Sequence, residues 1–283
     1  MFLQYLLDSL VLGSIYALMA IGFTLIFGIM NIVNLAHGEL FVFGAFTAIT
    51  LTTAGVNYFL AIILAMVVTS ILGFLFQKGI FERLGKDEVR TMLASIGLSI
   101  FLQSLALKIF GPEYHVINVS TGTIKLGSIS ITYQRLVIVI IAVVLVIVLN
   151  LLIRYTWFGR AMRAVAQYPE MASVMGVNSR SIYALTFMLS AALAGAAGAL
   201  LAGLFSVSAT SGFIPATKAF IITIFGGVGS VPGAIVGAFV LGLGENLTAG
   251  YVSQAFSSLI AFVLLVLVLL VRPNGIFGRK QDD

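Results

Sequence analysis

Long apolar runs separated by short polar stretches make up most of this 283-residue sequence. A transmembrane helix needs roughly 20 apolar residues at about 1.5 Å of rise each. Six runs come close to that length, and they cover 9–30, 57–77, 91–110, 136–153, 182–206 and 255–271. Shorter or glycine-interrupted runs cover 38–53, 217–229 and 232–250. None shows the in–out alternation of a membrane β-barrel. The pattern predicts an all-α polytopic membrane helix bundle of about 8–10 transmembrane helices, forming a single domain over 1–283.

Broken segments recur in the two halves of the chain. Residues 217–229 are too short to cross a bilayer comfortably, which predicts a half-helix. In the first half a helix over 13–30 precedes the break NIVNLAHGE and another helix from Leu40. In the second half a helix over 182–206 precedes the half-helix, the break GGVGSVPGA and a helix from Val236. Such paired breaks predict an internal repeat around a central pathway.

Composition supports a lipid environment. Hydrophobic residues make up 60% of the chain and charged residues only 9%, whereas a soluble domain carries about 25% charged residues. The mean hydropathy is +1.15. A soluble chain this apolar could not cover itself with polar surface, so lipid must be its solvent. The 29 glycines are compatible with this, because small residues allow close helix packing in membranes.

The basic residues predict the orientation of the chain. They concentrate in three stretches expected to face the cytoplasm: 82–90 with Arg83, Lys86 and Arg90, 154–180 with Arg154, Arg160, Arg163 and Arg180, and the tail with Arg272, Arg279 and Lys280. The polar stretch 111–135 is expected to be external. Counting from these loops gives nine crossings with the N-terminus outside. The net charge of +5 forms no basic face, so we expect no nucleic-acid partner.

Several kinds of chemistry are excluded. The chain has no cysteine and only two histidines, so we expect no metal site. It contains no HExxH motif, no GxSxG motif and no paired intramembrane aspartates, so we expect no catalytic residues and no enzyme activity. The glycine-rich stretch 226–233 lacks the Gly-Lys-Ser/Thr ending of a phosphate loop. We therefore expect no cofactor in this chain.

The loop over 157–180 is long enough to have its own structure. Pro169 suits the first position of a helix and Gly176 suits its end. Met171, Val174 and Met175 share one face between them. An apolar helix face of this kind docks into a groove of a soluble partner, or it packs on the protein's own cytoplasmic end or the lipid interface. The pattern alone leaves both interpretations open.

Polar groups also occur between apolar runs. One hypothesis is that they line a translocation path, and this set comprises Asn31, Asn34, His37, Glu39, Gly226, Gly227, Gly229 and Ser230. Helix-breaking backbone is tolerated at membrane depth only where it is buried in protein or lines a cavity. For residues 31–39 the alternative is a hydrated turn at the cytoplasmic side, which the crossing count slightly favours. Lys218 is expected to snorkel from a helix end, and Glu245 and Asn246 are expected at the interface.

Four stretches resemble the branched-chain amino acid ABC-importer permeases, and specifically the first of their two permease subunits. They are GSIYALMAIGFTLIFGIMNIVNLAHGELFVFGAF, GRAMRAVAQYPEMASVMGVN, FGGVGSVPGAIVGAFVLGLGEN and RPNGIFG, which extend from residue 13 to 278. The resemblance implies a second, similar permease, two cytoplasmic ATPases that bind ATP and Mg²⁺, and an external solute-binding protein. It also implies a bacterial or archaeal cytoplasmic (inner) membrane.

The same resemblance implies that 159–178, within a cytoplasmic loop over 154–181, contacts an ATPase, and it favours docking. The predicted coupling residues are then Gly159, Arg160, Arg163, Pro169, Met171, Val174, Met175, Gly176 and Asn178. The expected function is import of branched-chain or similar aliphatic amino acids. Permeases for urea and short amides belong to the same family and remain alternatives. An ion-coupled carrier is a further alternative, although the scarcity of intramembrane carboxylates argues against it.

Overall fold

A computed structural model describes residues 2–85, 87–117, 122–126, 129–272 and 275–278. Apart from the connecting loops and one small hairpin, the described residues are helical, in agreement with the predicted all-α bundle. Its helices are α1 Phe2–Met30, α2 His37–Thr53, α3 Tyr58–Phe76, α4 Glu82–Leu84, α5 Glu88–Phe110, α6 Tyr133–Tyr155, α7 Trp157–Gln167, α8 Pro169–Val174, α9 Ser179–Ala202, α10 Phe213–Gly226, α11 Val231–Tyr251, α12 Gln254–Ser257 and α13 Leu259–Val271. A π-helical stretch, Gln77–Phe81, joins α3 to α4. The antiparallel strands β1 Thr123–Leu126 and β2 Ile129–Thr132 precede α6. Lys86, Arg279 and Lys280 of the orientation prediction lie outside the described residues.

Within these ranges, seven helical stretches are long and apolar enough to cross a membrane. They are Phe2–Met30, Tyr58–Leu84, Glu88–Phe110, Tyr133–Tyr155, Ser179–Ala202, Val231–Tyr251 and Gln254–Val271. The protein is therefore a multi-pass membrane protein. Two further apolar helices are shorter: α2 has 17 residues and α10 has 14. A 14-residue helix is about 21 Å long, which agrees with the predicted half-helix.

The bounds of α10 differ from the prediction. The helix begins at Phe213 and ends at Gly226, whereas the apolar run was placed at 217–229. The cause of the earlier end is the backbone of the following turn, since Gly227 and Gly229 have φ of 98° and 77°. This left-handed region is open to glycine and ends an α-helix.

Two helices, α1 and α9, form the centre of the bundle and are the most buried of the long spans. They pack against each other, and each also contacts the short helix that follows the other one in the sequence. α2 and α3 pack on α9, while α10 and α11 pack on α1. Small residues allow this approach: the backbone of Gly195 lies against Gly44 of α2 and Thr69 of α3.

This exchange of partners gives the two halves a two-fold arrangement. The unit α1–α2–α3 corresponds to α9–α10–α11, and the starts of the two short helices meet where Gly38 contacts Gly212. The predicted internal repeat is therefore visible in the packing. Its breaks were paired wrongly, however: the counterpart of 31–36 is the non-helical stretch 203–212, which follows α9 as 31–36 follows α1. The glycine-rich turn after α10 corresponds instead to the turn between α2 and α3.

Both short helices begin about halfway along α1. The Nε2 atom of His37 donates to the carbonyl oxygen of Met19 at 3.3 Å, and Gly22 faces the His37 ring. The chain therefore leaves the end of α1 at Met30 and returns to the middle of that helix before α2 begins. α10 starts at the same level through the contact between Gly38 and Gly212. Non-helical backbone thus reaches the interior of the bundle from both ends, an arrangement seen in transporters with broken helices.

Candidate functional site

The predicted coupling segment contains two helices, of which the sequence pattern indicated one. α7 was not predicted. It begins after Thr156, whose Oγ1 accepts a hydrogen bond from the Gly159 amide at 3.1 Å. The helix buries Ala161, Met162 and Val165 against the bundle. Their i, i+1, i+4 spacing was the available signal for an amphipathic helix. α7 is therefore fixed to the transmembrane core.

α8 matches the predicted helix. Pro169 lies in its first turn, Met175 follows its last residue, and Gly176 has φ of 84° just beyond. The apolar face points away from the bundle, because Met171 is 68% exposed and Val174 and Met175 are each 83% exposed. Of the six helix residues only Ala172 is buried. Packing of this face on the protein's own cytoplasmic end is therefore wrong, whereas docking on a partner and contact with the lipid interface both stay predictions.

The other predicted coupling residues fall into two groups. Some shape the segment: a side chain at Gly159 would overlap the carbonyl of Ile153, and the side chain of Asn178 caps α9 by accepting from the Arg180 and Ser181 amides at 3.1 and 3.3 Å. Arg163 donates to the Ile153 carbonyl oxygen at the end of α6. Arg160, in contrast, is exposed. The segment therefore presents Arg160 and the three apolar side chains to its surroundings.

A cavity of about 750 Å³ lies directly behind α7. It is open to the surroundings on one side and is lined by the last turns of α1 and α6, by α7 and by the turn between α10 and α11. Its lining includes Gly28, Arg154, Arg163, Gly229 and Ser230. Gly28 and Gly229 are so close that a Cβ atom at Gly28 would overlap the Gly229 backbone. A shift of α7 relative to α1 would change the shape of this cavity.

The predicted path residues do not form one cluster. Gly229 and Ser230 line the cavity, while Gly226 packs on Gly233 and Gly227 approaches the backbone of Gly278. His37 and Glu39 lie deeper, near the middle of α1. Asn31, with φ of 53°, ends α1, and the buried Asn34 accepts from the Ala36 amide at 3.1 Å. The set therefore occupies two levels of the bundle.

His37 and Glu39 are buried, with exposures of 0% and 2%. The hydrated-turn interpretation is wrong for these two side chains, because the chain re-enters the bundle before α2 begins. Glu39 accepts a hydrogen bond from the Ser99 hydroxyl at 3.1 Å. Its second carboxyl oxygen and the Nδ1 atom of His37 have no hydrogen-bond partner among the described residues. These groups lie beside the meeting point of the two short helices.

A further polar cluster was missed by the sequence analysis. Lys218 and Glu245 form a buried ion pair of 2.8 Å, which Tyr16 completes. The expectation that Lys218 snorkels and Glu245 lies at the interface is therefore wrong. Asn246, half-buried, donates to the Gly242 carbonyl at 3.0 Å. The available signal was that 182–271 contains a single Lys and a single Glu and no other charged residue. Two opposite charges in so apolar a stretch favour pairing.

Comparison with known proteins places these features in context. The family model described as "Branched-chain amino acid transport system / permease component" matches residues 5–269. The chain is 35% identical over 299 residues to the high-affinity branched-chain amino acid transport permease LivH of Escherichia coli, covering 100% of this chain and 97% of that protein. It is 36% identical over 299 residues to BraD of Pseudomonas aeruginosa, with the same coverage. It is 24% identical over 306 residues to LivM of Escherichia coli, covering 98% of this chain and 71% of that protein.

Proposed function

The chain belongs to the permease-component family of branched-chain amino acid transport systems, and on this premise we propose that it is the transmembrane permease subunit of an ATP-driven importer. Its cargo is a branched-chain or similar aliphatic amino acid moving into the cytoplasm. It assembles with a second, similar permease subunit, which the distant similarity to LivM supports. Two cytoplasmic ATPases hold ATP and Mg²⁺, an external binding protein delivers the solute, and the assembly lies in the cytoplasmic (inner) membrane.

The observation that carries this proposal is the exposed apolar face of α8. In the isolated chain, most of the surface of Met171, Val174 and Met175 is exposed to water. Apolar surface gains roughly 25 cal/mol per Å² when it is buried, so a groove on a soluble partner would stabilise this face. Short helices with apolar anchors bind partners in this way. The face occurs in a stretch with four arginines and one glutamate, and the positive-inside rule favours the cytoplasmic side for such a stretch.

The packing also supplies a route for the motion. α8 follows α7 directly, and α7 is held against the bundle by its buried residues. A displacement of α8 by closing ATPases would therefore be passed to α7 and to the cavity behind it. The cavity also borders the last turn of α1 and the turn at Gly229. In this mechanism, separation of Gly28 from Gly229 opens the cytoplasmic end while the outer end closes.

The test is ATP-driven leucine uptake by the complete assembly in proteoliposomes. Met175→Asp places a charge in the docking face, and we expect uptake to fall at least tenfold. Arg163→Glu removes the contact between α7 and α6 and should also lower uptake. The matched control is Ser173→Asp, which adds the same charge to the exposed opposite side of α8 and should leave uptake within about twofold of wild type. Wild-type uptake in both Met175→Asp and Arg163→Glu would overturn the coupling role.

A second preparation separates this proposal from an ion-coupled carrier. Liposomes that contain this chain alone are given a proton or sodium gradient, without ATPases. We expect no accumulation of leucine. Accumulation under these conditions would mean that the chain draws its energy from an ion gradient, and the importer proposal would fail.

A further inference from the structure

Three side chains from three helices meet in one compact cluster, which we name the charged triad: Tyr16 of α1, Lys218 of α10 and Glu245 of α11. The Nζ atom of Lys218 lies 2.8 Å from Oε1 and 2.9 Å from Oε2 of Glu245. Lys218 also donates to the Tyr16 hydroxyl at 2.7 Å, and that hydroxyl donates to Glu245 Oε2 at 2.8 Å. The triad thus holds one positive and one negative charge in direct contact.

The triad lies deep in the bundle. The side chains of Lys218 and Glu245 are only 14% and 6% exposed, and Tyr16 occupies the middle of α1. Ionisable residues inside a membrane are costly, and they usually mark pathways for charged or polar cargo. Well-packed apolar side chains in place of a buried ion pair are often as stable or more stable. Stability of the fold alone therefore does not account for these charges.

An exposed surface leads to Lys218. Lys218 follows Ile214 by four residues, so both lie on the same side of α10. Ile214 is 59% exposed, and Phe213, which precedes it at the start of the helix, is 71% exposed. The adjoining non-helical stretch presents Ser206 and Thr210. Irregular backbone with exposed polar groups at membrane depth must face protein or a water-filled cavity. This mixed polar and apolar surface therefore faces a partner protein or a water-filled cavity rather than lipid, and Lys218 lies at its edge.

We propose that the charged triad binds the α-carboxylate and α-ammonium groups of the transported amino acid midway through the bundle. The carboxylate of the solute accepts hydrogen bonds from Lys218 and Tyr16, and its ammonium group donates to Glu245. The solute replaces one ion pair by two and keeps the site neutral, so no unpaired charge is left buried during passage. Its aliphatic side chain contacts Phe213 and Ile214. This inference rests on the proposed function, since it assumes an amino acid as cargo.

The alternative role for the triad is a clamp that only ties α10 to α1 and α11. The double variant Lys218→Met with Glu245→Gln separates the two roles, because it removes both charges together and leaves neither one unpaired. A clamp that is not needed for binding predicts uptake within twofold of wild type. If the triad binds the solute, we expect the double variant to lose at least tenfold in maximal leucine uptake. The concentration of loaded binding protein that gives half-maximal uptake should stay unchanged. Uptake within twofold would overturn the inference.

The assay uses the complete reconstituted assembly with radiolabelled leucine, and it records the melting temperature and ATP hydrolysis of each variant. The matched control is Asp8→Asn with Arg135→Gln, which removes a partly exposed ion pair between α1 and α6 and should leave uptake unchanged. If the wild-type assembly does not take up leucine, the proposed function itself fails. If it does, only the variants bear on the triad.

If the double variant fails to assemble, a second variant tests solute binding by the triad. Tyr16→Phe keeps the aromatic ring and removes only the hydroxyl that contacts both charges. We expect a several-fold loss of maximal uptake with an unchanged melting temperature. Unchanged uptake in Tyr16→Phe would show that the hydroxyl does not bind the solute, and this would overturn the inference as stated.

Discussion

At the scale of single residues, glycines allow close contacts between helices in this bundle. A Cβ atom at Gly44 would overlap the backbone of Gly195, and one at Gly38 would overlap the backbone of Gly212. The first contact joins α2 to α9, and the second joins the starts of α2 and α10. Moving these helices apart would open the buried centre of the bundle. Membrane helices associate by such close packing, because lipid provides little hydrophobic driving force between them.

The effect of one added methyl group tests this packing. We expect Gly44→Ala to lower stability by about 1–3 kcal/mol, the usual cost of overpacking. The matched control is Gly97→Ala in α5, where the added Cβ would meet no described atom within 4 Å beyond its own stretch of helix. That change should be neutral or stabilise by up to about 1 kcal/mol through helix propensity. Thermal unfolding of the purified variants measures both. Equal melting temperatures for the two variants would contradict the close-packing account.

Charged residues show the limit of inference from sequence at this scale. Lys218 and Glu245 are exceptions because 182–271 contains no other charged residue, but their separation of 27 positions gave no sign that they touch. Their contact depends on α10 and α11 being antiparallel neighbours. In the same way, His37 and Glu39 looked like parts of a hydrated turn, because the return of residues 31–36 into the bundle leaves no hydrophobic pattern.

At the scale of elements, α8 combines a defined shape with an exposed apolar face. Pro169 and Gly176 fix its two ends, and the positive φ of Gly176 turns the chain toward α9. Its position could be predicted from sequence because both signals are local. α7 was predictable in principle from the i, i+1, i+4 spacing of its buried apolar residues. The true start of α10 was not, because it depends on contact with Gly38.

The turn at Gly176 provides a test of this shape. Apart from its chain neighbours, none of the described residues has an atom within 4 Å of a Cβ built there, so a substitution would act through the backbone. Gly176→Val should cost roughly 1–2 kcal/mol, because a side chain disfavours the left-handed region, and we expect several-fold lower uptake. Gly176→Asn should retain most activity, since asparagine tolerates this conformation. Leucine uptake by the two variants is the measurement, and equal losses in both would contradict a role for the backbone conformation.

At the scale of the whole molecule, the two broken halves meet around a common centre. α1 and α9 each support the short helix of the other half, so movement of one half must change the packing of the other. The long helices were predictable from hydropathy, because each follows a strong local pattern. The two-fold arrangement was only partly predictable. The counterpart of the break at 31–36 is 203–212, which is rich in Ser and Thr, whereas the sequence pattern pointed to the glycine-rich stretch 226–233.

A reversible cross-link tests whether the halves move during transport. The hydroxyl oxygens of Thr24 in α1 and Thr223 in α10 are 2.9 Å apart, so cysteines at both positions would bring their sulfur atoms close to the disulfide length of about 2.05 Å. We expect oxidation to reduce uptake at least tenfold and reduction to restore it. Each single cysteine variant is the control, because the chain has no other cysteine. Normal uptake by fully cross-linked protein would contradict relative motion of α1 and α10.

The most direct test of the account is the side of the membrane on which α8 lies and whether an ATPase covers it. A single cysteine at Val174, which is 83% exposed, can be treated with a membrane-impermeant maleimide. The account predicts no labelling in intact cells, rapid labelling in inside-out vesicles stripped of ATPase, and protection when the ATPase partners are added back. Labelling from outside intact cells would place α8 on the wrong side of the membrane and contradict the account.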